Sequence, residues 1–272
     1  MIETYSDPGD IVVDPMCGIG TTLVEAAHLG RCAIGVELEQ RWAKLAKANL
    51  LHATSQGASG RGQVICGDAR ELAPLLARHR SLMVTSSSYA DVAALPYRRV
   101  DLVLTSPPYA CEIGEPQTQA PGTGADLCPT QARNYSPARE NLGHARGRSY
   151  LAAMANVYAA CGRVLKPGGF LVVVTKDMRS KGALRNVSGD TLMLCEHLGL
   201  TYWQHVIALL AAVRGDQLIA RPSFWQTLQV RRARARGERT HLVGHEDVLV
   251  FRRPITHAAG AAAGSSEMRS AA

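Results

Sequence analysis

Residues 10 to 27, DIVVDPMCGIGTTLVEAA, constrain what this chain can fold into more than any other segment. The apolar run Ile11 to Val13 has the composition of a buried strand, Asp14 ends it, and a glycine-rich turn leads into helical spacing from Thr21 to Leu29. Glycines in such a turn let the backbone approach a ligand closely at the carboxyl end of a strand, where open α/β sheets bind cofactors. Two phosphate-binding readings fail on single residues. A dinucleotide fingerprint, G-x-G-x-x-G, needs a third glycine where Leu23 stands, and a P-loop needs Gly-Lys-Ser/Thr where the chain has Gly20, Thr21 and Thr22. Nicotinamide and ATP chemistry are disfavoured.

The rest of the chain repeats the alternation. Cys32 to Val36, Val64 to Cys66, Leu102 to Leu104 and Phe170 to Val174 read as strands, and Gln40 to Ala53, Ala69 to Arg78 and Ser149 to Leu165 have helical spacing and length. Lys166, Pro167, Gly168 and Gly169 read as a turn between helix and strand. The stretch TLMLCEHLG reads as a further helix, capped by Ser188 or Asp190 and ending at Gly199. Tyr202 to Leu210 and Asp247 to Phe251 complete the strands. The expectation is one α/β domain over residues 1–255, with a mixed sheet of about seven strands, parallel apart from one near the carboxyl end. Two segments interrupt it: Cys111 to Arg148, full of Pro, Gly, Gln and Asn, and the arginine-rich connection Arg214 to His245. Loops that long inside a compact domain are usually functional or mobile. The small-residue tail, residues 256–272, is expected to be disordered.

Three further strand ends carry chemistry. Glu37 lies about twenty residues after the glycine turn, where an acid accepts hydrogen bonds from ribose hydroxyls, so a nucleoside-bearing cofactor is expected. Asp68, in VICGDAREL, is placed either to cap the following helix or to receive an adenine amino group. The strand VDLVLT runs into Ser106, Pro107, Pro108 and Tyr109. Consecutive prolines stiffen the chain and have no amide hydrogens, so carbonyls can point outward as fixed acceptors. Ser106 and the Pro107 carbonyl could hold an amino group's hydrogens while Tyr109 stacks on a ring; a rigid turn at a strand end is the plainer reading of S-P-P-Y alone.

With both motifs in hand, the chain resembles the DNA amino-methyltransferase family, which modifies N4 of cytosine or N6 of adenine. DPMCGIGTT is similar to that family's D-P-F-x-G-S-G-T-T, and TSPPY to its catalytic tetrapeptide; RVLKPGGFLVVVT and HEDVLVFRR look like its later strands. The resemblance implies a Rossmann-like class I methyltransferase fold and S-adenosylmethionine as cofactor. It implies that Asp14, Pro15, Met16, Cys17, Gly18, Gly20, Thr21 and Thr22 line the methionine part, with Glu37 on the ribose and Asp68 and Ala69 at the adenine. Ser106, Pro107, Pro108 and Tyr109 would be catalytic. Met16 stands where phenylalanine is usual, an apolar swap that should keep the pocket. Only a few residues precede SDPGD, where the family often has a helix and loop.

The reaction so implied is direct methyl transfer to an amino nitrogen without a covalent intermediate, on a base extruded from duplex DNA. Carbon-5 methylation needs a thiolate beside the site, and Cys128, before Pro129, lies far from the S-P-P-Y strand. Ser106 tilts the choice to cytosine N4, since family members with Asp there are more often adenine N6 enzymes. Adenine N6, an RNA base amino group, and a nucleic-acid-binding module without catalysis remain the alternatives. Recognition of the target is left to residues 111–148, to residues 214–245, or to both.

Charge fits a polyanionic partner. From Arg214 to Arg253 nine arginines stand against four acids, in a chain of formal charge +7. Arg231, Arg232, Arg234, Arg236 and Arg239 are the candidate DNA contacts, a solvated basic face being the other reading. Phe224 and Trp225 read as core at a strand edge or as a stacking platform. His241 and His245 lack a companion set of ligands, and no metal is expected. Seven cysteines without a C-x-x-C pair suit reduced thiols. The longest apolar run, Val206 to Val213, falls far short of the roughly twenty residues that cross a bilayer. The opening MIETYSDPGD has no apolar stretch to act as a secretory signal, and a cytoplasmic protein is expected.

Overall fold

A computed structural model describes residues 1–79, 100–108, 142, 147–180, 183–222 and 224–255. In chain order the first half comprises α1 (Ile2–Tyr5), β1 (Ile11–Asp14), α2 (Thr21–His28), β2 (Cys32–Glu37), α3 (Gln40–Ser55) and β3 (Arg61–Cys66), then a 3-10 turn (Ala69–Glu71), α4 (Leu72–Arg78) and β4 (Val100–Thr105). The second half comprises α5 (Gly147–Val164), β5 (Leu165–Thr175), β6 (Met178–Ser180), β7 (Ala183–Arg185), α6 (Val187–His197), β8 (Thr201–Leu209), β9 (Ala211–Arg214), β10 (Gln217–Ala220), α7 (Phe224–Ala235) and β11 (His245–Arg252).

Seven strands form the main sheet in the order β3-β2-β1-β4-β5-β11-β8. The pairings among β3, β2, β1, β4 and β5 are parallel, and β11 runs antiparallel to both β5 and β8. This is the mixed sheet expected above. Alternation along β1 sends Ile11 and Val13 to one face and Val12 to the other, so each face needs a helical layer. On the first face lie α4, α5 and α6. The stripe Tyr150, Met154, Val157, Tyr158 and Cys161 has the spacing of one helix face and is buried there. Leu23, Ala26 and Ala27 of α2, with Ala43, Ala46 and Leu50 of α3, cover the opposite face. Each large apolar side chain so buried contributes about 1.5–3 kcal/mol.

Strand order reverses between β1 and β4, since the chain extends the sheet one way through β2 and β3 and then returns to the other side of β1. Crossovers leave in opposite directions at such a point, which opens a crevice at the carboxyl ends of the two strands.

Several sequence expectations are corrected. Lys166, Pro167, Gly168 and Gly169 are an irregular start of β5 rather than a turn: the register with β4 jumps from Val100↔Leu165 to Leu102↔Phe170, and Gly168 takes φ +80°. A bulge of this kind absorbs extra residues without ending the strand. The α6 helix starts at Val187, before either proposed cap; Asn186 caps it by accepting from the Gly189 amide at 2.9 Å. Phe224 and Trp225 open α7 and are not at a strand edge. The connection 214–245 thus contains half of a hairpin, β9 with β10, and a helix. Of Cys111 to Arg148, only Leu142, Gly147 and Arg148 are described, and the tail from Thr256 lies outside the described residues.

Candidate active site

The end of β1 delivers Asp14 into the crevice with only 4% of its surface exposed. Burial raises its carboxyl pKa to about 6, against the Thr22 hydroxyl, the Met16 amide and the Thr105 hydroxyl, which favour the ionised form. The Met16 N–H donates to Asp14 Oδ1 at 3.1 Å. Thr105 ends β4, and its buried hydroxyl has no hydrogen-bond partner among the described residues.

The chain then makes a tight turn. The Cys17 amide donates to the Val36 carbonyl at 3.0 Å, and the Gly20 amide to the Cys17 carbonyl at 2.7 Å. Gly18 and Gly20 take φ +52° and +85°, in the left-handed region that side chains disfavour. A Cβ on Gly18 would stand in open space, whereas one on Gly20 would meet the Ala46 Cβ of α3 at 3.0 Å. Gly18 therefore has open space beside it, while Gly20 packs the turn against α3. Gly35 matters equally, because a Cβ there would strike Leu23 at 2.5 Å and Cys17 Sγ at 2.7 Å. Asn49 of α3 anchors the turn from outside, donating to the Ile19 carbonyl at 2.8 Å. Neither Gly35 nor Asn49 stands out in the sequence; their roles come from which elements pack together.

Glu37 ends β2 and closes the turn. One carboxylate oxygen accepts from the Gly18 amide at 2.9 Å and the other from the Glu39 amide at 2.8 Å. Burial raises its pKa. The carboxylate, which the Leu38 amide also favours, keeps acceptor capacity for a further donor, which fits a ribose hydroxyl. The open face at Gly18, the buried acid Asp14 and the acid Glu37 together fit a cofactor with an amino-acid end and a nucleoside end. Asp68 does what the capping reading expects: its carboxylate accepts from the Arg70 amide at 2.9 Å and pairs with the Arg70 guanidinium. Burial pushes its pKa up, but those Arg70 contacts outweigh it and the net shift is down. Ala69 beside it is buried.

At the end of β4, Ser106 is exposed, Pro107 is buried and Pro108 is half-buried; Tyr109 lies outside the described residues. β4 pairs with β1 through Val12↔Leu102 and Val13↔Val103, so the Ser106 corner and the Asp14 turn leave neighbouring strands at the same edge of the sheet. The sequence missed Tyr150, whose hydroxyl donates to the Pro108 carbonyl at 2.9 Å.

The arginines are divided. Arg231, Arg232, Arg234, Arg236 and Arg239 are all exposed, with the first three on α7. Arg234 donates to the Thr240 carbonyl at 2.9 Å and meets His241 Nδ1 at 3.2 Å, and Arg236 pairs with Glu238 at 2.7 Å. His245 stands 3.8 Å from Asp247. No cluster of three or more potential metal ligands occurs among the described residues, and none of their helices is long and apolar enough to cross a membrane.

Sheet order, the antiparallel β11 and a glycine turn at the switch point define the class I methyltransferase fold. The resemblance to the DNA amino-methyltransferase family holds over a short stretch: a family model described as DNA methylase, for N6 and N4 methyltransferases, matches residues 1–48. A Type II methyltransferase of Methanothermobacter thermautotrophicus, M.MthZI, is 42% identical over 50 residues, a stretch covering 18% of this chain and 14% of that protein. The matched family segment carries the glycine turn and Glu37, while the S-P-P-Y corner falls beyond it. Among solved structures, a SAM-dependent methyltransferase from Methanosarcina mazei overlays with a TM-score of 0.49 at 11% identity, over 93% of this chain and 97% of that one. A TehB-like SAM-dependent methyltransferase from Corynebacterium glutamicum gives 0.44 at 13% identity, over 92% and 84%.

Proposed function

We propose that this protein transfers a methyl group from S-adenosylmethionine to an exocyclic amino group of a base in DNA, with N4 of cytosine as the favoured target. The observation that carries the reading is the adjacency of two parallel strand ends: the Asp14 turn on β1 and the Ser106 corner on β4 leave the same edge of the sheet at its switch point.

In this reading Asp14, Pro15, Met16, Cys17, Gly18, Gly20, Thr21 and Thr22 hold the methionine part of the cofactor, Glu37 accepts from the ribose hydroxyls, and Asp68 and Ala69 border the adenine. Asp68 takes this role when the Arg70 side chain gives way, since its two carboxylate oxygens otherwise accept four contacts from Arg70. S-adenosylmethionine supplies an electrophilic methyl group on a sulfonium. The target amino nitrogen is a poor nucleophile because its lone pair is delocalised into the ring. Ser106 Oγ and the Pro107 carbonyl accept its hydrogens and favour a pyramidal nitrogen with a localised lone pair, and Pro108 holds the corner stiff; the N–C bond would form as the sulfonium S–C bond breaks to a neutral thioether, and the nitrogen would then lose one proton to water. Tyr109 stacks on the base after it leaves the duplex. Arg231, Arg232 and Arg239, with Arg234 and Arg236 beside them, face the phosphates, and residues 111–148 or 214–245 read the sequence. Ser106 in the place of Asp favours cytosine over adenine.

The test is methylation of duplex DNA with labelled S-adenosylmethionine, followed by digestion to nucleosides and mass spectrometry. N4-methylcytosine is the expected product. N6-methyladenine would correct the base but keep the mechanism; label only in structured RNA, or none at all, would overturn the reading.

A further inference from the structure

We infer that Tyr150 is a positioning residue for the Ser106–Pro107–Pro108 corner, acting through the Pro108 carbonyl; the inference rests on the amino-methyltransferase reading above. Two consecutive prolines give a corner that cannot donate a backbone hydrogen bond at either position. Their rings fix φ, so the direction in which the chain leaves the corner depends on ψ at each proline. An external donor to a carbonyl is the one backbone handle left.

Tyr150 provides that donor, with its hydroxyl 2.9 Å from the Pro108 oxygen. Its ring is 4% exposed and packs in the core with Met154 and Val157 of the same helix face, so the donor has little freedom to follow a wandering loop. The bond directs the Pro108 carbonyl at helix α5, and the Pro107 carbonyl is the acceptor assigned to the amino group. Helix α5 thereby couples core packing to the reacting corner, since the same helix buries its apolar stripe against the sheet.

A buried phenol that merely satisfies its own hydroxyl would occupy the same place, and Tyr158 supplies the comparison. It is fully buried, two turns further along α5, with the Thr191 side chain of α6 beside its hydroxyl. The experiment measures single-turnover methyl transfer from labelled S-adenosylmethionine to unmethylated duplex DNA of mixed sequence. Wild type is compared with Tyr150→Phe and Tyr158→Phe, with cofactor affinity and thermal unfolding measured on each. Tyr150→Phe keeps the ring and removes the hydroxyl that donates to Pro108. Its single-turnover rate is expected to fall on the order of tenfold to a hundredfold, as misplacement of a reacting group does, with cofactor affinity unchanged. Tyr158→Phe is expected to keep the wild-type rate. Combining Tyr150→Phe with Ser106→Ala should cost less than the product of the two single losses, because both act on one corner. A full rate in Tyr150→Phe overturns the inference, and so does a parallel loss of rate, cofactor affinity and stability, which marks a structural role. A wild-type protein that transfers no methyl group to DNA removes the functional reading and the inference together. An active wild type beside an unimpaired Tyr150→Phe removes the inference alone.

Discussion

The glycine turn at residues 14–22 and the arginine-rich region at residues 214–245 are held by opposite kinds of contact. The turn is bound from three sides: Gly18 to Glu37, Cys17 to Val36 and Ile19 to Asn49, with Asp14 buried beneath it. The arginine-rich region is the second strand of a hairpin and helix α7, whose arginines face water, and even apolar Leu218 is 66% exposed. Chemistry that depends on position sits where the fold over-determines the backbone, whereas attraction to a charged polymer tolerates a surface with latitude.

The sharpest way to break this contrast is at the corner. Ser106→Ala, or Tyr109→Ala, should lower methyl transfer by about 10²–10³-fold while cofactor affinity stays near wild type, as loss of a group acting in the transition state does. Near-normal turnover in both variants, measured at saturating cofactor, would remove the corner from the chemistry.

A second effect belongs to the buried end of the turn. The Asp14 pKa of about 6 in the folded chain lies above its ordinary value of 3.8. The folded state therefore holds this proton more tightly than the unfolded chain does. Its contribution to stability is full below pH 3.8 and is lost as pH rises through 6. Relative to Asp14→Asn, which does not titrate, the wild type should lose about 3 kcal/mol across that window. Denaturant unfolding of both proteins at a series of pH values checks it, and parallel curves would contradict the burial argument.

The smallest effect is expected in the exposed region. Replacing Arg231, Arg232 and Arg239 by Gln should weaken DNA binding and flatten its salt dependence by about 0.9 in log–log slope for each lost phosphate contact, with saturated turnover unchanged. An unchanged slope takes this region out of the interface.

What the sequence made legible follows the same division. The strand composition of Ile11 to Val13 and the glycines at 18 and 20 announce the turn, because one needs burial and the others a left-handed backbone. Gly35 and Asn49 carry no local signal, since their roles depend on β2 and α3 meeting the turn. Tyr150 lies in a segment whose helical spacing is legible, but nothing local marks it as a partner of Pro108, forty-two positions away in the chain. The sequence placed the α6 cap at Ser188 or Asp190, whereas Asn186, an equally good local cap, holds it. It read Lys166 to Gly169 as a turn, where sheet register overrides the local preference, and it put Phe224 with Trp225 at a strand edge, where a helix begins.

Whether the glycine turn and the proline corner serve one reaction is measured most directly by a structure of the protein with S-adenosylmethionine bound. The expected result has the nucleoside against Glu37 and the sulfonium methyl directed toward Ser106 and the Pro107 carbonyl, with room between for an amino group. A cofactor bound elsewhere, or a methyl group pointing away from Ser106, would contradict it.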